Sequence, residues 1–385
     1  MSNSVVRRLL QLGLALTLCC TVPAAAGQPL VGVPGASAGG GNYPSEGPEV
    51  IASGLDNPRG LVFDRKGALY VAEAGSGGDG PCLPGAILES CFGHSGAITR
   101  ITKWGQRRVV TGLSSFGPYD GAAAIGPSDV AFGQKRMFVT VGLDEDLEDI
   151  QALPELADMG ELLGVKRNPH GVRIVTVADL AEFEDAFNPT GDEENVNPNS
   201  VILDKGGVIV SDAGANDLLL VRTSGKIRVL ATFPNRDVEA PPGLGFPPGY
   251  MLSMDAVPTS VQRGPDGSLY VGQLTGFPFP PGAANVYRVD RSGEVSVHAT
   301  GFTNIMDIAF DKRGRLYVLE IFKNGALSGD PTGALVRVNG DGSQTEIMSD
   351  GLITPGGLTI RGHHAYVSNC GTCASTGEVL RIPLG

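Results

Sequence analysis

Residues 57–75, NPRGLVFDRKGALYVAEAG, form a pattern of two short apolar strands joined by a charged, glycine-containing turn. The same pattern recurs in five further segments, at residues 126–142, 197–214, 257–273, 305–320 and 354–369. Each begins with proline or small residues, continues as an apolar strand and a tight polar turn, and ends in a strand of the Leu-Tyr-Val type. The chain is therefore a repeat protein with six units.

A third strand follows each unit, and a fourth follows all but the last, where the chain ends at Gly385. The missing strand is available near the other end of the chain, because EVIASGL (residues 49–55) has the character of RRVVTGL (residues 107–113). These observations predict an all-β fold, a six-bladed β-propeller with four-stranded blades in which the N-terminal strand closes the last blade. Two adjacent β-sandwiches are the alternative, but they would not explain the paired ends.

The first residues have the order of a secretory signal: Arg7 and Arg8, an apolar run to Val22, and a small-residue stretch that predicts cleavage near Ala26. A lipoprotein signal at Cys19 or Cys20 is the alternative interpretation. Residues 27–48 are rich in Gly, Pro and Ser and suit a flexible leader. The predicted organisation is a signal peptide (1–26), a leader (27–48) and a propeller (49–385), secreted or periplasmic, without a membrane span.

The charge of the chain argues against nucleic acid as a partner. The chain has 29 basic and 41 acidic residues, and removal of the signal takes away two Arg and no acid, leaving 27 minus 41, or −14. A polyanion would be repelled by such a surface. We expect a monomer that binds a small organic molecule or a protein partner.

Four cysteines remain after the predicted cleavage, which favours disulfides in an exported chain. The local pairs are Cys82 with Cys91 and Cys370 with Cys373. A redox or metal role for the C-x-x-C pair stays open.

Long insertions are expected on one face of the propeller, because the turns between strands one and two and between three and four are all short. Two of the insertions, residues 143–160 and 178–197, carry acids but no Lys or Arg. The apolar spacing in the first predicts short amphipathic helices. The acids either solvate these helices or attract cations and basic ligands.

Two other insertions on this long-loop face are rich in proline and aromatic residues. Phe246, Tyr250, Phe277 and Phe279 either form an aromatic wall over the channel mouth or pack as lids on neighbouring blades. The wall would suit a flat organic ligand.

Polar residues recur where the first strands begin and the second strands end, and both positions meet near the channel on the long-loop face. Their oxygen ligands suit Ca²⁺ better than zinc. The predicted metal ligands are Glu73, Asp129, Asp212, Asp307 and Glu320, and the predicted ligand face comprises Arg59, Asn199, Gln273, Asn369 and Phe277. The alternative is that Asp and Asn at these positions only satisfy strand-end backbone groups.

Familiar catalytic motifs are missing from the sequence: it has no H-E-x-x-H, G-x-S-x-G or P-loop. Of its five histidines, only His94 is expected on the long-loop side. A mechanism driven by histidine would depend on that one residue.

Several stretches resemble the ScyD/ScyE family of exported propellers, notably GLDNPRGLVF (54–63), GALYVAEAGSGGDGPC (67–82), GQLTGFPFPPGAANVYRV (272–289) and the C-terminal AYVSNCGTCASTGEVLRI (365–382). The resemblance covers residues 49–385. It implies a bacterial exported protein of the kind encoded beside scytonemin-type pigment pathways, and it brings no catalytic residues with it.

A more distant similarity links the unit to NHL-type, gluconolactonase-like and glucose/sorbosone dehydrogenase propellers. We therefore expect an exported propeller that binds a small organic molecule or partner on its acidic long-loop face, with Ca²⁺ as the expected cation. The alternative is an enzyme, either a metal-assisted, lactonase-like hydrolase or a quinone-dependent sugar dehydrogenase. The latter group uses a catalytic His and basic groups that hold an anionic quinone, which an acidic mouth does not offer.

Overall fold

The computed structural model describes residues 47–83, 89–143, 145–146, 155–156, 159–168, 171–192 and 194–385. Nearly all regular structure in these ranges is β-strand, arranged as six four-stranded antiparallel sheets. The predicted six-bladed β-propeller is confirmed. Among the described residues, no helix has the length and apolar character needed to cross a membrane.

Within the described residues, strand β1 (Glu49–Leu55) comes first and the blades follow in order. Blade 1 has four strands and a short accessory strand, β4: β2 (Pro58–Phe63), β3 (Leu69–Glu73), β4 (Cys82–Leu83), β5 (Ser90–Thr102) and β6 (Gly105–Pro118). Blade 2 comprises β7 (Pro127–Phe132), β8 (Met137–Val141), β10 (Glu161–Asn168) and β11 (Gly171–Asp179), and β9 (Glu145–Asp146) lies in its long loop.

A helix and a short strand precede blade 3, namely α1 (Leu180–Phe187) and β12 (Asn195–Val196), which pairs with β9. Blade 3 then comprises β13 (Pro198–Asp204), β14 (Gly207–Asp212), β15 (Asp217–Arg222) and β16 (Ile227–Thr232). A two-stranded ribbon, β17 (Arg236–Glu239) and β18 (Met251–Met254), leads to blade 4.

Blade 4 comprises β19 (Pro258–Arg263), β20 (Leu269–Gln273), β21 (Ala284–Val289) and β22 (Val295–Phe302). Blade 5 comprises β23 (Ile305–Phe310), β24 (Leu316–Glu320), β25 (Ala334–Val338) and β26 (Gln344–Met348), with a single 3₁₀ turn at Ala326–Ser328. Blade 6 comprises β27 (Gly357–Arg361), β28 (His364–Asn369) and β29 (Gly377–Pro383).

Strand β1 supplies the fourth strand of blade 6, pairing antiparallel with β29 from Glu49–Arg381 to Leu55–Gly377. Ala52 and Leu55 of β1 are buried against blade 1 and blade 6. The predicted closure by the N-terminal strand is therefore confirmed. The innermost strands contact each other in cyclic order, and the contact between β2 and β27 completes the ring.

The core lies between the blades. The second strands of blades 1 to 5 are buried along their whole length, because neighbouring blades cover both of their faces. Val, Leu, Ile and Tyr at these positions combine strand propensity with apolar area. This packing fixes the strand ends, and those ends carry the polar residues of the candidate site.

The short turns share one hydrogen-bond pattern, in which an aspartate side chain accepts backbone amides. In the blade 5 turn, Asp311 Oδ1 accepts hydrogen bonds from the backbone amides of Arg313 and Arg315, both at 2.9 Å. Asp64, Asp266, Asp290 and Asp341 accept amide hydrogen bonds in equivalent short turns. An aspartate that bonds the backbone two residues on is a preferred turn former, which explains why Asp recurs beside Gly in these turns.

The amphipathic helices predicted for residues 143–160 fall largely outside the described residues. The described helix, α1, lies instead in the second acidic insertion. Asp179 caps its N-terminus by accepting a hydrogen bond from the Glu182 amide at 2.8 Å.

Candidate functional site

A belt of hydrogen bonds joins each blade to the next around the channel, and several predicted site residues belong to it. In blade 2, Asp129 Oδ2 accepts hydrogen bonds from Val201 N at 2.9 Å and Ser200 Oγ at 3.1 Å, both in blade 3. In blade 5, Asp307 Oδ2 accepts one from Leu358 N of blade 6 at 2.7 Å. Both aspartates are linkers between blades.

The other junctions between blades are joined by hydrogen bonds of other residue types. Asn199 donates to Thr259 O across the junction of blades 3 and 4, and Thr259 donates to Ile305 O across the next. Ser368 of blade 6 donates to Arg59 O, and the Arg59 guanidinium donates to Ala124 O in the loop that leads to blade 2. The belt thus runs through all six blades.

A register irregularity at the start of the innermost strand explains how the belt forms. The ladder slips between Pro127 and Asp129 in blade 2 and between Ile305 and Asp307 in blade 5. Such an irregularity bends the strand and turns a side chain out of its usual direction. Gly60 in blade 1 leaves the space that the Asp129 side chain occupies.

Asp129 and Asp307 belong to opposite blades and influence each other electrostatically. Burial raises the pKa of Asp129 to about 6, although its amide and hydroxyl hydrogen bonds oppose the rise. Burial also raises the pKa of Asp307 well above its ordinary value, and the charge of Asp129 adds to the rise. Burial and the charge of Asp129 therefore both favour the neutral form of Asp307.

The second set of predicted residues lies where the second strands end, one on each of five blades. Each of them except Gln273 accepts a hydrogen bond from the backbone of the loop that enters its own blade: Glu73 from Asp56 N, Asp212 from Asn197 N, Glu320 from Thr303 N and Asn369 from Ile353 N. Because each of these residues ends the second strand of a different blade, they are distributed around the ring. The interaction that these four residues share is a hydrogen bond accepted from a backbone amide. This is the role that the alternative to metal binding predicts.

Glu73 is neutralised within blade 1. It is fully buried, and its carboxylate accepts hydrogen bonds from the Arg108 guanidinium at 2.6 Å and 3.1 Å and from Thr99 Oγ1 at 2.5 Å. Arg108 also forms an ion pair with Asp56 at 2.6 Å. The two carboxylates hold the pKa of Arg108 above its ordinary value.

Gln273 in blade 4 is buried, and its Oε1 accepts hydrogen bonds from Asn285 N and Tyr287 Oη, both at 3.2 Å. The carboxylate of Glu320 in blade 5 accepts a hydrogen bond from one backbone amide, Thr303 N, and burial raises the pKa of Glu320 to about 7. Asn369 in blade 6 donates to Gly351 O as well as accepting from Ile353 N.

Blade 3 differs because three acidic side chains are buried together near its long-loop end. Asp212 closes β14, Asp217 opens β15 opposite it, and Glu184 projects from α1. Burial raises the pKa of Glu184 to about 8 and that of Asp212 to about 6, and it raises the pKa of Asp217 well above its ordinary value. The sequence interpretation included Asp212 and missed the other two.

The predicted aromatic wall divides into a buried and an exposed part. Phe277 and Phe279 are buried in a cluster with Leu252, Ile321 and Phe322, so they pack as lids between blades 4 and 5. Phe246 is partly buried and packs against the same cluster, and Tyr250 stacks on it with ring centroids 5.0 Å apart. Tyr250 is exposed, at 47%.

Large apolar side chains are exposed along the long-loop face. Tyr119, Phe187 and Tyr250 lie in the connections between blades 1 and 2, 2 and 3, and 3 and 4. Leu244 and Met251 are exposed in the same connection as Tyr250, and Leu327 and Ile353 are exposed in other loops of this face. Exposed acids lie beside them on and after α1: Glu182, Asp185, Asp192 and Glu194. The face therefore combines apolar contact area with negative charge.

Both predicted disulfides are present, Cys82–Cys91 and Cys370–Cys373. Cys82 and Cys91 also lie near Glu89, in a group of three side chains whose ligand atoms are within 4.8 Å of one another. Because both sulfurs are in a disulfide, this group is not available as a metal site. The Cys370–Cys373 loop touches the ring closure, where Asn57 N donates to Cys373 O at 2.9 Å.

Comparison with known proteins supports the fold. No protein-family profile matches the chain, and no curated protein matches its sequence. A crystal structure of a protein of unknown function from Bacteroides thetaiotaomicron is similar with a TM-score of 0.51 and 9% identity, covering 87% of this chain and 75% of that chain. A luciferin-regenerating enzyme is similar with a TM-score of 0.50 and 11% identity, covering 88% and 95%.

A PQQ-bound aldose sugar dehydrogenase from Streptomyces coelicolor gives a TM-score of 0.49 and 11% identity, covering 88% of this chain and 99% of that one. Similarities at such low identity concern the fold and not the chemistry of the site. The structure itself defines the class: the chain is a six-bladed β-propeller with a closed ring.

Proposed function

We propose that this chain is an exported binding protein of the ScyD/ScyE type whose long-loop face holds a small organic molecule. The observation that carries the proposal is the row of exposed aromatic side chains at three successive blade junctions, Tyr119 at 102%, Phe187 at 70% and Tyr250 at 47% exposure. Exposed aromatic groups on loops of a rigid scaffold are characteristic of binding surfaces. The predicted signal peptide and the two disulfides agree with export.

The chemistry of the face indicates the class of ligand. Aromatic rings bind flat apolar groups by stacking, and the Phe246–Tyr250 pair offers such a surface. The neighbouring acids, including Glu182 and Asp185, repel anions. The ligand that suits this face is a flat, largely apolar molecule that is neutral or positively charged.

The predicted Ca²⁺ is part of the same proposal. Of the five predicted ligands, Glu73 has Arg108 as its partner, and both oxygens of Asp129 and of Asp307 accept hydrogen bonds. Asp212 has one buried oxygen without a hydrogen-bond partner, so it is the predicted ligand best placed to bind an ion.

Native mass spectrometry of the protein purified from the organism that encodes it tests the proposal. We expect an adduct of small-molecule mass on the wild-type chain and its loss in a Tyr119→Ala, Phe187→Ala, Tyr250→Ala triple variant. Trp104→Ala is the matched control, because Trp104 is an equally exposed aromatic residue, at 85%, in a turn of the opposite face. A bare wild-type chain, an adduct retained by the triple variant, or a bound protein in place of a small molecule would contradict the proposal.

A second assay separates binding from the enzymatic alternative. Purified protein supplied with a quinone cofactor and Ca²⁺ should not oxidise aldoses, because an acidic face disfavours an anionic quinone. Hydrolysis of simple lactones should likewise stay at the buffer rate. Sustained turnover in either assay would show that the chain is an enzyme.

A further inference from the structure

Three carboxylates of blade 3 are buried without any basic partner among the described residues. Asp212 and Asp217 are 0% exposed and face each other in the register of β14 and β15. Glu184, at 1% exposure on α1, interacts electrostatically with both of them. The pKa of Asp217 is raised by burial and then by the charges of Asp212 and Glu184, and no basic group offsets these effects. The three side chains form one electrostatic cluster.

Most oxygens in this cluster have no hydrogen-bond donor. Both oxygens of Glu184, both of Asp217 and Oδ2 of Asp212 are buried and unpartnered, as is the amide Oδ1 of the neighbouring Asn195. Gly214 lacks the β-carbon that would collide with that amide oxygen. A buried carboxylate normally has a cationic or hydrogen-bonding partner, because removing it from water is costly. Six unpartnered oxygens at one place thus indicate a ligand.

The other blades provide an internal comparison. Glu73 in blade 1 and Glu320 in blade 5 occupy the position of Asp212, and the residues opposite them are Ala97 and Ala334. Asp217 places a second carboxylate where those blades have alanine. Blade 1 also supplies Arg108 to neutralise its single acid, whereas the described part of blade 3 supplies no equivalent. Blades 2 and 6 have an acid at the position of Asp217, Glu161 and Glu378, but these face Val141 and Asn369. Two acids that face each other are therefore not a requirement of the propeller fold.

We propose that blade 3 holds a resident Ca²⁺ ion between α1 and the β14–β15 hairpin, bound by Glu184, Asp212 and Asp217 with Asn195 Oδ1 as a fourth ligand. An all-oxygen set of carboxylates and an amide is what Ca²⁺ binds and what zinc does not prefer. The site lies within one blade and its covering helix, so the inference does not depend on the organic ligand proposed above.

The spacing of the three carboxylates limits how they can bind the ion. The three carboxylates do not form a group with one oxygen each within 4.8 Å of one another. Since Ca–O distances are about 2.4 Å, ligands on opposite sides of an ion are about 5 Å apart. Ligation by all three acids therefore needs the side chains to move closer together or a bridging water, and flexible Ca²⁺ coordination tolerates both.

Metal content and thermal stability of the chain from Gly27 onward test the site, with Ca²⁺ alone as the probe. Chelator-treated protein is dialysed against millimolar Ca²⁺, freed of excess ion and analysed by plasma mass spectrometry. We expect about one Ca²⁺ per wild-type chain and a clear rise in melting temperature. Glu182→Gln is the matched control: it removes one exposed acid from the same helix and should leave both results unchanged.

Asp217→Ala is the informative variant, because alanine already occupies this position in blades 1 and 5. Removal of a buried, unpartnered carboxyl group should raise the melting temperature of the metal-free protein and abolish the response to Ca²⁺. Glu184→Gln should weaken Ca²⁺ binding about tenfold or more, since it removes one charged ligand.

Three results would overturn the proposal: a wild-type chain that retains no Ca²⁺, a response that survives unchanged in either variant, or a metal-free Asp217→Ala protein less stable than metal-free wild type. The last would show that Asp217 has a stabilising partner within the protein itself.

Discussion

At the scale of single residues, one position of the repeat is used in different ways. The last residue of the second strand is acidic in blades 1, 3 and 5, and in each of them it accepts a backbone amide of the entering loop. The surroundings of that acid differ between blades. Glu73 forms an ion pair with Arg108, Asp212 lies opposite a second acid, and Glu320 accepts a hydrogen bond from one backbone amide. The surroundings, and not the residue type, decide whether the acid is structural or available to a ligand.

The Arg108 pair gives a stability prediction. Arg108→Met leaves fully buried Glu73 without its cation, which should lower the free energy of unfolding by about 2 kcal/mol once the 40% exposure of the Arg108 side chain is allowed for. Adding Glu73→Gln should recover more than half of that loss. Denaturant unfolding measures both changes. Arg107→Met is the control for a lost exposed charge, and an equal loss there would contradict this account.

Asp311 gives a pH prediction. Burial raises its pKa, but hydrogen bonds from the backbone and guanidinium of Arg315, the latter at 2.7 Å, lower it below the ordinary value. A lowered folded-state pKa contributes stability above the unfolded pKa of about 4, and this contribution disappears as the pH falls through the folded value. Asp311→Asn keeps the Oδ1 acceptor and loses the charge.

We therefore expect Asp311→Asn to lower stability by about 1 kcal/mol at pH near 7 and by much less at pH near 3. Denaturant unfolding at the two pH values measures this difference. Asp350→Asn, which removes an exposed acid, is the control. A difference between Asp311→Asn and wild type that stayed constant with pH would argue against the ion pair.

At the scale of strands and helices, the sequence predicted most of the architecture. Six copies of one strand–turn–strand pattern define six blades, and the unmatched fourth strand identifies residues 49–55 as the closing strand. The repeat itself carries a signal for the acidic pair of blade 3. Aligned on the third strands, Asp217 stands where blades 1 and 5 have alanine and where blades 2 and 6 have a glutamate that faces an uncharged residue.

Other features could not be predicted because they depend on how loops pack. Glu184 is one of many acids in its insertion, and only the position of α1 on blade 3 shows that it is buried. Phe277 and Tyr250 belong to similar aromatic-proline loops, yet one is buried and the other exposed. The belt partners Ser200, Leu358 and Ala124 are distant in sequence from the residues they bind.

Strand β1 gives a prediction about closure. A chain that begins at Leu55 loses the ladder to β29 and the ion pair of Glu49 with Arg381 at 2.6 Å, and it exposes the β29 edge. It keeps the fastening of Asn57 to Cys373 and of Asp56 to Ser375. We therefore expect a folded ring with a melting temperature lower by about 5 °C or more and a tendency to associate.

A chain that begins at Glu49 is the control, with closure intact. Calorimetry gives the melting temperature, and light scattering gives the association state. If the chain that begins at Leu55 stayed monomeric with the melting temperature of the control, β1 would have no role in holding the ring closed.

At the scale of the whole molecule, the two faces of the disc are built differently. The short-loop face consists of tight turns held by aspartates such as Asp64 and Asp311. The long-loop face carries α1, the β17–β18 ribbon, the lids between blades 4 and 5 and the exposed aromatic side chains. The hydrogen-bond belt holds the six blades in place, so the long loops are presented on a rigid frame.

Differential hydrogen exchange, followed by mass spectrometry, tests most directly whether this face is the functional one. The protein is compared alone and with the low-molecular-weight fraction of the encoding organism's culture. We predict slower exchange in the segments that carry Tyr119, Phe187 and Tyr250, and unchanged exchange in the short turns around Trp104 and Asp311. Slower exchange confined to the short turns, or no change in any segment, would contradict the account.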